Sequence, residues 1–319
     1  MADKTGADGD EDRTAASQPA PLLPAGPVLP DGLGAPGRLQ PESGVSRAEL
    51  RASALAHASP DPRPGVAPAA ASPTVTLAVV AFCLLLTLSA YAGPSILGLA
   101  VALAGMVVAW GWAGLLALPS PLGTAAVIAV GTASSVVATV STRGEPYLRW
   151  MPAALAVSLA GAFAHQLARR DGRPRLVESI AGATTGLAVV TGGAALVPLP
   201  AVHRGADAVL VALTAVALAA LVELAWRGSA RGTRLHRTAP AVGVALGLGA
   251  SIAMGSVVGL PGLTSALLGG CCAGISSLAR LVLAPLPTMS GRRSQLVCGT
   301  SSVLICGVVV YLLDRVLVG

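Results

Sequence analysis

Apolar residues dominate the chain from residue 74 onward, in long runs that short polar segments separate. We count nine such runs, at 74–92, 95–118, 122–141, 150–168, 176–198, 207–226, 239–259, 262–284 and 295–313. At a rise of about 1.5 Å per residue, a helix of this length crosses a hydrocarbon core of about 30 Å. The chain lacks the short alternating segments of a membrane β-barrel. The pattern therefore predicts an all-α polytopic bundle of nine transmembrane helices.

The first 73 residues have a different character. They hold twelve of the chain's 24 prolines and are rich in alanine, glycine and acidic residues. A segment of this composition cannot bury enough apolar surface to offset the entropy of ordering it. We therefore predict a disordered tail over 1–73 and a transmembrane domain over 74–319.

Composition excludes the soluble and nucleic-acid-binding classes. Charged residues make up 11% of the chain, against about 25% in an ordinary soluble domain. The net charge is +6 and aromatic residues are 3% of the chain, so base stacking has few partners and we expect no nucleic acid. The cysteines lie in apolar runs and the histidines are scattered, which predicts no metal ion and no cofactor.

Arginines in the loops predict the orientation. Ten lie on the side of the N-terminal tail and four on the opposite side. Because basic residues concentrate in cytoplasmic loops, we expect a cytoplasmic N-terminus and an external C-terminus. Short loops of this kind are typical of a bacterial cytoplasmic membrane. Within the ten, two clusters are candidates for contact with anionic lipid headgroups, at about 1 kcal/mol for each arginine; alternatively they only set the orientation. These candidates are Arg169, Arg170, Arg231, Arg234 and Arg237.

One arginine lies inside an apolar run. Arg280 falls about one turn from the tail-side end of the eighth run, so we expect its guanidinium to reach the headgroups. Glu178, Glu223 and His165 fall at the same depth in other runs. Together the four residues suggest a polar pocket for a substrate or ion, in which Arg280 binds an anion or pairs a carboxylate and a glutamate exchanges a proton. The alternative is that each charge near the aqueous boundary pairs or reaches water separately.

Small residues predict close helix packing, because they let backbones approach. Gly243 and Gly247 form one G-x-x-x-G motif. Pro198, Pro200 and Pro261 follow glycine-rich stretches of the fifth and seventh runs. We expect these prolines only to end their helices, although paired interruptions of this kind are also typical of transporters.

For function, the pattern favours transport or permeation of a small solute, because nine spans exceed what anchoring a tail requires. The alternative is a non-catalytic membrane scaffold or assembly factor that uses the tail and the basic loops. A third class is a membrane enzyme acting on a lipid-linked substrate. That class needs several acidic residues to hold magnesium and phosphate, and the spaced-aspartate, rhomboid, metalloprotease and P-loop motifs are absent. We therefore do not expect an enzyme.

Overall fold

A computed structural model describes residues 72–170, 172, 174–229 and 238–317. These residues are 84% helical and contain no strand. Nine segments among them are long and apolar enough to cross a membrane, which confirms the predicted all-α polytopic fold. The predicted tail falls outside the described residues up to residue 71. The α-helices are α1 Pro73–Ala92, α2 Pro94–Leu115, α3 Pro121–Val140, α4 Met151–Ala168, α5 Leu176–Ala194, α6 Gly205–Ser229, α7 Ala239–Val258, α8 Gly262–Leu283, α9 Arg292–Leu304 and α10 Cys306–Leu317.

Helix starts agree with the predicted runs to within three residues. Local chemistry explains this agreement, since proline opens α1, α2 and α3. Proline suits the first helical position because its missing N–H needs no partner there. Ser72 also caps α1 by accepting a hydrogen bond from the Val75 amide at 3.2 Å. At the other end of α7, Gly259 adopts the left-handed conformation that commonly ends a helix.

The loops fall on two faces of the bundle, as the count of nine spans requires. We call the side of the α2–α3, α4–α5, α6–α7 and α8–α9 connections the tail face, and the opposite side the C-terminal face. On the tail face, Thr288 donates a hydrogen bond to the Leu115 carbonyl at 2.5 Å. On the C-terminal face, Tyr91 donates to Asp207 at 2.8 Å. Each contact joins segments that the alternation of spans assigns to the same side.

The ninth span, formed by α9 and α10, lies at the centre of the bundle. Helices α2 to α5 pack against one another on one side of it, and α1, α6, α7 and α8 do so on the other. The ninth span contacts members of both groups, namely α1, α2, α5, α6 and α8. Large apolar side chains such as Leu88 and Leu103 are exposed on the outer helix surfaces, where a bilayer would surround them. Side chains of the ninth span therefore meet those of both halves.

Candidate functional site

A fully buried ion pair joins α6 and α8. Arg280 Nη2 lies 2.9 Å from Glu223 Oε1, and the two side chains are 1% and 2% exposed. Transferring two charges out of water costs several kcal/mol for each ion, so such a pair persists only when further hydrogen bonds satisfy it. A polar group of this kind inside a membrane protein is expensive and marks a functional candidate.

Three serines supply those additional hydrogen bonds. Arg280 Nη1 donates to Ser276 Oγ at 2.6 Å, and Nη2 donates to Ser277 Oγ at 3.1 Å. Ser277 in turn donates to Glu223 Oε1 at 2.5 Å. Ser302, on α9, accepts from Arg280 Nη1 at 3.5 Å and from Ser276 at 3.3 Å. We call Arg280, Glu223, Ser276, Ser277 and Ser302 the charge-pair cluster.

Close packing of α7 against α6 covers the carboxylate side of this cluster. A Cβ atom added to Gly243 would lie 2.8 Å from the Ala219 carbonyl oxygen and 2.9 Å from Glu223 Cγ. The glycine predicted to allow close helix approach therefore does so directly over Glu223. Excluding water in this way strengthens the Arg280–Glu223 attraction, because the effective dielectric constant falls.

The prediction that Arg280 reaches the headgroup layer is wrong. Arg280 lies three residues before the end of α8, so its depth was correct, but its side chain turns inward toward Glu223. Inside the bundle the guanidinium finds a carboxylate and three hydroxyls, which compensate for the water that it gives up. The alternative in which Arg280 pairs a carboxylate is the one that the structure contains.

The other two predicted members lie elsewhere. His165 Nε2 and Ser120 Oγ are 2.7 Å apart, and the imidazole packs directly over Gly123 on α3. Glu178 is exposed and forms an ion pair with Arg175 at the start of α5. Helix α4, which carries His165, packs against α3 and α5 rather than against α6 or α8. Of the four residues, only Arg280 and Glu223 come together.

Among the arginines proposed to contact lipid, Arg169 donates a hydrogen bond to Gln166 Oε1 at 2.9 Å and another to Ser179 at 3.4 Å. Arg170 is exposed. Arg231, Arg234 and Arg237 lie outside the described residues. Lipid contact by these five residues stays a prediction.

A single register runs along the contact between α8 and the ninth span. Ser276 lies against Ser302, and the Cys306 thiol donates to the Cys272 carbonyl at 3.4 Å. The helices are antiparallel, so each step of four residues back along α8 matches a step of four forward along α10. Two further steps of four residues along the same helix faces come to Leu268 and Thr264 on α8 and to Val310 and Asp314 on α10, all of which are buried. We call this row the polar seam; its members are Arg280, Ser276, Cys272, Leu268 and Thr264 on α8 and Ser302, Cys306, Val310 and Asp314 on the ninth span, each at most 5% exposed.

Sequence reasoning missed Asp314, the acidic residue of the seam. Its side chain is 0% exposed, and neither carboxylate oxygen has a hydrogen-bond partner among the described residues. It lies about 24 Å from Arg280 along the helix axis, because Thr264 and Arg280 are 16 residues apart on α8. Its spacing from Cys306 and Val310 was the available signal, since residues four apart share a helix face.

An irregular stretch of the fifth span lies beside the seam. The ninth span divides into α9 and α10 at Ile305, where the backbone stays right-handed helical and the Ile305 amide bonds the Ser301 carbonyl at 3.1 Å. The fifth span leaves α-helical geometry after Ala194, where the Leu196 amide bonds the Gly193 carbonyl three residues back at 3.1 Å. A Cβ atom on Gly307 would lie 2.2 Å from the Gly192 carbonyl oxygen. The fifth span therefore touches the ninth span next to its irregular end, whereas the predicted alternative was a pair of interruptions in the fifth and seventh spans.

Nine helices of the described residues are long and apolar enough to span a membrane, which is compatible with a multi-pass membrane protein. Comparison of the chain with protein families, with characterised proteins and with solved structures finds no match. Functional conclusions therefore rest on the geometry of the charge-pair cluster and the polar seam.

Proposed function

We propose that the protein transports a small charged solute across the membrane, and that the charge-pair cluster is its binding site. The observation that carries this proposal is the buried Arg280–Glu223 pair, which contacts the central ninth span through Ser302. A buried pair contributes little net stability relative to apolar residues of the same size. A binding site in which a charged solute replaces one member of the pair would explain why both charges are present in the interior.

The chemistry of the pair suits exchange. Arg280 is always charged and its planar guanidinium binds carboxylate or phosphate oxygens with two parallel hydrogen bonds. An anionic group of the solute takes the place of Glu223 on the guanidinium when Glu223 moves away or gains a proton. Ser276, Ser277 and Ser302 then hold the guanidinium while its partner changes.

The irregular backbone supports the same proposal. A short 3₁₀ stretch within a span often marks a hinge. The fifth span has such a stretch after Ala194, and it contacts the ninth span next to Ile305. The scaffold alternative depends on the tail and on residues 230–237, which lie outside the described residues.

Solid-supported-membrane electrophysiology on reconstituted protein tests the proposal, because it detects charge movement after a rapid solution change. The probes are sodium acetate, sodium phosphate, ammonium chloride and alanine. We expect a transient current with at least one probe for the wild type. We expect its loss in the double variant Arg280→Met/Glu223→Gln, which removes both charges and keeps the side-chain volume.

The matched control is Glu145→Gln. Glu145 also belongs to an ion pair, but its side chain is 57% exposed on the C-terminal face, so its neutralisation leaves the currents unchanged. Currents that are equal in wild-type, double-variant and protein-free membranes for every probe would contradict transport through this cluster.

We further infer that the tail face is cytoplasmic, that the C-terminus is external, and that the membrane is of the bacterial cytoplasmic type. The ten arginines on the tail face against four on the other support this orientation. In this orientation the charge-pair cluster lies near the cytoplasmic side and Asp314 near the external side.

A further inference from the structure

Asp314 is a buried carboxylate without compensation among the described residues. Its side chain is 0% exposed, and both of its oxygens lack hydrogen-bond partners there. An isolated ionised carboxylate in an apolar environment is strongly unfavourable, and so such groups pair, bind a cation or take up a proton. The geometry around Asp314 therefore calls for a positively charged ligand.

The neighbouring charges are already occupied. Arg315, the next residue, pairs with Glu145 at 2.6 Å on the surface. On α6, Asp207 accepts a hydrogen bond from Tyr91, and on α8 the arginine is Arg280, about 24 Å away along the axis. Helix α5 carries its acid, Glu178, at the opposite face, and α9 carries Arg292 and Arg293 there as well. Two tyrosines also lie near Asp314 at the C-terminal face, Tyr147 and Tyr311, and their phenol groups carry no positive charge.

The ligand set indicates a small monovalent cation. Thr264 is buried near the end of α8 at the same face of the bundle as the single carboxylate of Asp314, and hard oxygen ligands favour hard cations. No group of three or more His, Cys, Asp or Glu residues in the described ranges could hold a metal ion. A divalent ion would need more carboxylates than this position supplies. Sodium and the proton share the required chemistry, a single positive charge that neutralises one carboxylate.

A cleft lies at the C-terminal face, near the end of the helix that carries Asp314. Its volume is about 270 Å³ and it is lined by His203, Arg204, Leu260, Pro261 and Leu317. Leu317 lies one turn beyond Asp314 on the same helix. The Arg204 guanidinium donates a hydrogen bond to the Gly259 carbonyl, which fixes that charge at the wall of the cleft. Among its lining residues, His203 and Arg204 are the ones that carry ionisable side chains.

We propose that Asp314, with the buried Thr264 of α8 as a further ligand, forms a binding site for a small monovalent cation that enters from the C-terminal face. This site is separate from the charge-pair cluster, and its binding does not depend on the proposed transport. The carboxylate supplies the charge, the hydroxyl supplies a further oxygen, and the dry seam beyond Leu268 and Val310 prevents the cation from passing freely.

Thermal unfolding of the purified full-length protein in detergent tests the site. One arm titrates sodium chloride against choline chloride at constant pH and ionic strength, and the other lowers the pH without sodium. We expect the unfolding midpoint of the wild type to rise by roughly 5 to 10 °C at saturation in one arm. Asp314→Asn should abolish that dependence, because the amide is neutral. Glu145→Gln, which neutralises an exposed carboxylate on the same face, should retain it.

The two arms identify the cation. A rise with sodium that Asp314→Asn removes assigns sodium, and a rise with acid that Asp314→Asn removes assigns the proton. Equal responses of the wild type and Asp314→Asn in both arms overturn the proposal.

A measurement on the wild type covers the case in which the variant does not fold. Dicyclohexylcarbodiimide modifies carboxyl groups in apolar surroundings, and mass spectrometry locates the product. We expect modification of Asp314 that sodium or a rise in pH slows at least threefold. Labelling of Asp314 that neither condition changes, or none at all, overturns the proposal.

Discussion

The Arg280–Glu223 pair allows a quantitative test of how dry the interior is. Arg280→Met removes the guanidinium but keeps a long apolar side chain. It leaves Glu223 2% exposed with the Ser277 hydroxyl as a remaining donor. Breaking a buried pair by removing one partner costs about 3–5 kcal/mol, whereas replacing both partners by neutral residues of similar size is often close to neutral. We therefore expect a loss of about 3–5 kcal/mol for Arg280→Met and under about 2 kcal/mol for the double variant with Glu223→Gln.

The assay is equilibrium unfolding in mixed micelles, followed by tryptophan fluorescence. Arg315→Met is the matched control, because it breaks an ion pair whose side chains are 30% and 57% exposed. Exposed pairs contribute about 0–1 kcal/mol, so this control should change the free energy of unfolding little. If Arg280→Met cost no more than Arg315→Met, water would reach the cluster, and the reasoning from burial would be refuted.

Two further predictions concern packing and orientation. Gly243→Val should lower the free energy of unfolding by about 1–3 kcal/mol, because its Cβ would approach the Ala219 carbonyl oxygen to 2.8 Å. Gly249→Val is the control, because a side chain there meets open space. Equal losses of stability in the two variants would contradict close packing of α7 on α6. The orientation is tested by fusing alkaline phosphatase, which is active only outside the cytoplasm, to two positions of the chain. The enzyme should be active when fused after residue 319 and inactive when fused after residue 290. The reverse pattern would contradict the proposed orientation.

The positions of the spans could be predicted from the sequence because hydrophobicity and helix-starting prolines act locally. Depth in the membrane could be predicted as well, and it brought Arg280 and Glu223 into one group. Depth alone does not determine which helices are neighbours. His165 and Glu178 share that depth but lie on α4 and α5, away from α6 and α8. Lateral neighbours depend on packing around the central ninth span, and the sequence pattern does not encode that arrangement.

The same limit applies to the ninth span. Gly307 meets the Gly192 carbonyl oxygen of α5, and neither residue predicts the other. Asp314 is buried because α5, α6 and α8 pack around its helix. Both features depend on residues that lie far apart in the sequence.

The register of the polar seam restricts how the bundle can move. A one-turn slide of the ninth span along α8 would separate the Cys306 thiol from the Cys272 carbonyl and Ser302 from Ser276. Sliding motions of this ratchet type are therefore unfavourable here. A conformational change that keeps both contacts has to move α8 and the ninth span together as one unit.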